Sequence, residues 1–218
     1  MIPTEPIRPL KDVWLRPRRV FRELATRPIG ITDYLLGCVQ GIVNALYLYG
    51  SKGAGTHSSV EEILANAFIY GAIAGVVGLF LMAAIYVRLG TRAGGKATTT
   101  QVVHVLAYAG VPMVAALAIW VLTALLVGDP AFVKTPGADI EGFLALLLHL
   151  QSASFWLLSA WTVVLLVMGF SEIQGIATRK SFGVWILGQL VRFLAYLFLA
   201  FLLLALFPEL RDTVIPQN

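Results

Sequence analysis

Few residues in this 218-residue chain bring chemistry into an otherwise apolar text. Asp33, Gln40 and Asn44 recur at helical spacing, so on a helix they stack on one face with Gly37, Gly41 and Leu48. Such a face lines a polar path or binding cavity, or packs against a neighbouring helix through amide hydrogen bonds. Packing is the preferred reading, with Leu36 and Val43 left towards lipid. Gln189, Arg192 and Tyr196 share a second face. A charge at the bilayer centre costs roughly 2.5 to 3.5 kcal/mol on insertion scales. Arg192 therefore needs a counter-charge or a route to water. Asp33 and Glu172, both near the cytoplasmic boundary, are the acids a snorkelling guanidinium could reach. A structural ion pair is expected, with contact to an anionic lipid or substrate as the alternative.

Other reactive residue types do not assemble into a catalytic or metal-binding pattern. His57 and His149 fall near the outer side of the membrane and His104 near the cytoplasmic side, about a membrane apart. Without an HExxH, paired Cys/His or clustered carboxylate motif, no metal site is expected. Ser152, Ser154 and Ser159 lack a GxSxG context or a nearby His and Asp. In GTRAGGK, Lys96 is followed by Ala97, so the phosphate-cradle spacing is not met. Cys38 is the single cysteine and has no internal partner. The expectation is a non-enzymatic protein without a cofactor.

The elements that must carry these residues are membrane helices. The chain is 58% hydrophobic and 13% charged, with a mean hydropathy of +0.82. An ordinary soluble domain has about 25% charged residues. Five apolar segments, Ile31 to Tyr49, Ile63 to Val87, Val102 to Val127, Ser152 to Phe170 and Phe182 to Phe207, are each long enough to span a bilayer. The fold class expected is all-α, a polytopic bundle of five transmembrane helices. The apolar stretch from Phe143 to Leu150 reads as a leader into the fourth span or a re-entrant piece, which makes residues 141–151 the least defined boundary. Residues 1–29 form a basic segment, 30–208 the membrane domain and 209–218 a short tail.

From Pro9 to Leu24, Leu10, Val13, Trp14, Pro17, Val20, Phe21 and Leu24 recur at spacings of three and four, with Lys11, Arg16, Arg18, Arg19 and Arg22 between them. This combination predicts an amphipathic helix in the headgroup plane, kinked or restarted at Pro17. Trp14 and Phe21 would enter the lipid while Arg16, Arg18, Arg19 and Arg22 meet anionic headgroups. Membrane lipids are thus the expected partners, and the basic balance does not call for nucleic acid. Twelve Lys and Arg fall on the side of the N-terminus and only three on the other, with Arg192 between. That asymmetry predicts a cytoplasmic N-terminus and, after five crossings, a C-terminus outside the cytoplasm.

Small residues repeat every four positions in the first span, at Gly37, Gly41 and Ala45, and in the second, at Ala67, Gly71 and Gly75. These ribbons let helix backbones approach closely, either between the two spans or in a homo-oligomer. Trp14, Pro17 and Phe21 before the first span, Gly94, Gly95 and Lys96 before the third, Tyr108 with Pro112 within it, and GFSEIQG from Gly169 to Gly175 complete the pattern. With five spans and an N-in orientation, these residues resemble the bacterial branch of the Yip family, the Ypt/Rab-interacting membrane proteins. Ala107-Tyr108 followed by Pro112 is similar to the Gly-Tyr-xxx-Pro pattern of eukaryotic members, whose aspartate-leucine-tyrosine-glycine-proline motif is missing. The resemblance implies a multispanning domain without known catalysis, in the cytoplasmic membrane of a bacterium. Contact with prenylated Rab GTPases, which it implies for eukaryotic relatives, does not carry over. The function expected is a membrane scaffold or adaptor that organises membrane components. A small transporter, channel or lipid-handling protein with a polar cavity is the alternative.

Overall fold

The computed structural model describes residues 7–134 and 142–206, without the side chains of residues 199, 200, 203 and 204; the tail at 209–218 lies outside them. All regular elements among the described residues are helices: α1 (Pro9–Asp12), α2 (Pro17–Leu24), α3 (Ile31–Lys52), α4 (Val60–Asn66), α5 (Ala72–Arg92), α6 (Thr99–Ala109), α7 (Pro112–Val127), α8 (Phe143–Gln174) and α9 (Thr178–Leu206). A π-helical turn, Ala67–Gly71, joins α4 to α5, giving one rod from Val60–Arg92. Together with α3, α8 and α9 it makes four helices long and apolar enough to cross a bilayer.

The third crossing in chain order, between the rod and α8, is broken. Pro112 has no N–H to continue the ladder, and α6 and α7 meet at a 41° bend. Both ends of this pair are fixed against α3. His104 of α6 meets Asp33 in the first turn of α3, while Trp120 of α7 lies against Gly50 near its last turn. The pair thus runs the length of α3 and makes one crossing. At the far end, the Asp129 carboxylate accepts the Val60 N–H at 2.6 Å, tying the loop after α7 to the start of α4.

Phe143 to Leu150 is continuous with the fourth span, so the leader reading holds for the described part of that boundary. Residue 141 lies outside the described residues. The two small-residue ribbons face each other. A Cβ on Gly41 would stand 2.5 Å from Gly75 Cα and 2.6 Å from Gly75 N, so α3 and α5 cross backbone to backbone.

The N-terminal segment departs from expectation. It restarts at Pro17 as predicted, but Val13, Val20, Phe21 and Leu24 are buried in the main core cluster. Phe21 does not enter lipid: its ring packs where a Cβ on Gly169 of α8 would stand. The apolar stripe has the same period whether it faces acyl chains or a protein groove. Here the ends of α6 and α8 present that groove, leaving Leu10 and Leu15 as large apolar side chains pointing away, 50% and 88% exposed.

Candidate functional site

The polar residues singled out in the sequence divide between two places. The first is a junction around α6, at the end of the bundle where α2 docks; the residues of α6 from Val102 to Ala109 are all buried. It starts with a capping box: the Gln101 N–H donates to Thr98 Oγ1 and the Thr98 N–H donates to Gln101 Oε1. The Gln101 side-chain amide also donates to the Ala25 carbonyl, fastening α6 to the end of α2.

One turn later His104 Nδ1 lies 2.7 Å from Asp33 Oδ1, with both side chains 3% exposed. Its Nε2 lies 3.0 Å from the Arg27 carbonyl. With Asp33 as a carboxylate both partners are acceptors, and the imidazole then carries a proton on each nitrogen. The second Asp33 oxygen accepts the Gly30 N–H at 2.9 Å, closing the first turn of α3, where the helix dipole favours an anion. His104 was not among the site residues read from the sequence; its partner lies 71 positions away.

The expected ion pair of Arg192 with Asp33 or Glu172 does not form. Asp33 is held by His104, and Glu172 accepts from Arg22 Nε at 2.8 Å. That second pair bridges α2 to the end of α8, and the guanidinium is largely exposed. Glu172 and the hydrogen bond it accepts push Arg22 above the ordinary arginine value. Exposure keeps the contribution to stability small. Arg19 similarly pairs with Glu23 one turn along α2.

Gln174, the last residue of α8, is a further member, present in the sequence reading only as a letter of GFSEIQG and without a role. Its Oε1 accepts the Ala97 N–H at 3.1 Å. A Cβ on Gly90 or Gly95 would overlap its amide, which explains glycine at both positions. Phe21, Gly95, Gly169 and Gln174, quoted from separate short motifs, therefore converge on one end of the bundle. The chain leaves α8 through Gly175, whose φ of 65° is left-handed.

The second place is an intramembrane groove of about 560 Å³ between α3, α5 and α9, lined by Gln40, Asn44, Gln189 and Arg192 with Tyr70 and Tyr196. Asp33 is not part of it. Asn44 is exposed to the groove, whereas Leu36 and Val43 are 4% and 0% exposed, so they are core residues rather than lipid-facing ones. The reason is α6–α7, which covers the side of α3 that periodicity alone leaves open.

Gln40 serves both places. At the end of α6 the Gly110 N–H turns back to the Ala107 carbonyl, leaving that of Leu106 without a helical donor. Gln40 Nε2 reaches the Leu106 and Ala107 carbonyls at 3.2 and 3.3 Å, and its side chain lies where a Gly110 Cβ would stand. Gln40→Met keeps the volume but removes the donor, and we expect it to cost about 1 to 3 kcal/mol in unfolding from mixed micelles. A change below about 0.5 kcal/mol, within the range of ordinary surface substitutions, would remove Gln40 from this capping role.

Neither a curated protein nor a solved structure is significantly similar to the chain. A sequence model of the Yip1 domain matches residues 11–201, from the basic segment whose helix locks into the bundle almost to the end of α9. That span takes in the α6 junction and the groove alike, and the chain belongs to the Yip1 domain family.

Proposed function

We propose that this multi-pass membrane protein is a non-enzymatic scaffold that organises lipids and other membrane components at its cytoplasmic face. One observation carries the reading: α2 is fixed by its apolar side to the bundle while Arg16, Arg18 and Arg22 remain exposed. Lys11 is exposed on the preceding helix. A docked helix presents its charges in a fixed array, whereas a free amphipathic peptide must order itself at the surface. Each Lys or Arg near an anionic leaflet contributes about 1 kcal/mol, screened beyond roughly 8 Å at physiological salt.

The test is clustering of fluorescent phosphatidylglycerol around the reconstituted full chain. Self-quenching should rise with protein, fall in high salt, and drop by more than half on Arg16/Arg18/Arg19→Gln. Quenching that ignores salt and the triple substitution would overturn the platform.

The orientation follows the charge asymmetry, with the N-terminus and the loop at residues 93–98 cytoplasmic and the loop at residues 53–59 outside. Reporter insertions at residues 56 and 96 should give opposite signals; the same signal at both would overturn it.

A second reading, a lipid-handling cavity, is favoured by the groove at Gln40, Asn44, Gln189 and Arg192. It is compatible with a scaffold because the groove and the basic array occupy different parts of the molecule.

A further inference from the structure

Arg192 presents an electrostatic imbalance. With a rise of about 1.5 Å per residue, it stands about 21 Å along α9 from Thr178, well inside a hydrocarbon layer of roughly 30 Å. Its side chain is exposed, and among the described residues it makes no ion pair or hydrogen bond. The two acids expected to balance it are engaged by His104 and Arg22. Asp129, at the outer end, holds the Val60 N–H. A cation at this depth without a counter-ion among the described residues calls for an anion from elsewhere.

The groove specifies what kind. Its walls carry Asn66 and Tyr70 on the rod that enters from the outer end, then Asn44 and Gln40 along α3, facing Gln189, Arg192 and Tyr196 on α9. These polar groups form a descending path on which a headgroup can exchange water for side-chain hydrogen bonds, and the long arginine stem can reach along it. Between them Gly75, Gly78, Leu81 and Met82 give an apolar floor suited to acyl chains. Tyr70, Leu81 and Tyr196 are 65%, 61% and 64% exposed, so the groove is open sideways to lipid.

Its volume of about 560 Å³ is that of a small-molecule site. Because the groove is open along its side, a lipid can seat its headgroup and part of one chain there while the rest of it stays in the bilayer. A second copy of this groove would bring another Arg192 and no acid. We propose that the groove holds one anionic phospholipid drawn sideways from the bilayer, with its phosphate on Arg192 and a chain along the glycine floor. The proposal rests on the cavity reading and adds the ligand's charge and class.

The experiment uses the full chain in nanodiscs of equal phosphatidylglycerol and phosphatidylcholine, released into mild detergent for native mass spectrometry. Wild type should retain one phosphatidylglycerol per chain at least tenfold over phosphatidylcholine. Arg192→Gln should lose that preference. Gly78→Leu should lose bound lipid because it fills the floor, and it is sterically safe: a Cβ on Gly78 meets nothing within 4 Å. If Arg192→Gln does not fold, Gly78→Leu still decides.

Retention of phosphatidylglycerol in Gly78→Leu would place the lipid outside the groove and overturn the proposal. Equal retention of both lipids in wild type, lost in Gly78→Leu, would overturn the anionic assignment while leaving the cavity reading intact. No retained lipid in wild type would overturn both. In a parallel arm with oleate added, its displacement of phosphatidylglycerol would overturn the phospholipid assignment in favour of a carboxylate amphiphile.

Discussion

Asp33→Ala is expected to destabilise the protein by about 3 to 5 kcal/mol, the range for removing one member of a buried ion pair. The substitution removes the 2.7 Å contact to His104 and the acceptor for the Gly30 N–H together. His104 then keeps the Arg27 carbonyl as its partner, in a site 2% exposed. The loss therefore extends beyond one hydrogen bond: the junction of α3, α6 and the segment after α2 loses its central anion. Reversible unfolding of the reconstituted chain in mixed micelles measures the effect. Asp33→Asn should cost less because an amide oxygen can still accept from Gly30. In a double-mutant cycle, His104→Ala in the Asp33→Ala background should cost at least 1 kcal/mol less than in wild type, as expected for residues in one network. Additive effects would show that the two side chains act separately.

That network also marks where sequence reading stops. Asp33 was visible as a polar residue at the start of a span, and its helix-start position is readable from spacing. His104 offered no comparable signal, because a lone histidine at the start of an apolar run fits many environments. Its role arises when α6 is laid beside α3, and that pairing is tertiary information. The N-terminal stripe failed for a related reason. Val13, Val20, Phe21 and Leu24 define a helical face, but periodicity cannot state what covers it. The groove between α6 and α8 does so here, and Gly169 supplies the space for Phe21.

The number and place of the spans were legible because a bilayer requires about 20 apolar residues per crossing, a constraint written along the chain. The bend in the third crossing was missed: Val102 to Val127 reads as one span, although Pro112 within it lacks the N–H that continues a helical ladder. The pairing of Arg192 was not legible either: reach alone offered Asp33 and Glu172, but each has a partner brought close by the fold. Gln40 shows an intermediate case. Its place on a polar stripe was readable, while its use as a donor to Leu106 and Ala107 depends on where the broken helix ends.

The crossing of α3 and α5 is made by backbone rather than by side chains. Gly41 and Gly75 bring α3 and α5 together, and the Gly75 backbone stands within 2.6 Å of where a Gly41 Cβ would be. Backbone cannot rotate aside as a flexible side chain can. Gly41→Leu must therefore separate the helices, and Ala45 against Gly71 would lose its close contact as well. Ordinary overpacking costs about 1 to 3 kcal/mol; because the obstruction here is backbone, we expect at least the upper end of that range. Gly41→Ala should already be destabilising, whereas Gly78→Ala, on the same helix rod as Gly75 but with nothing within 4 Å of its Cβ, should change stability by less than about 1 kcal/mol. Glycine flexibility alone would make the two alanine substitutions behave alike, so equal responses would refute the close-crossing account. Because Gly41 also lines the groove between α3 and α5, Gly41→Leu should abolish lipid retention through displaced helices, with a stability loss that separates it from Gly78→Leu.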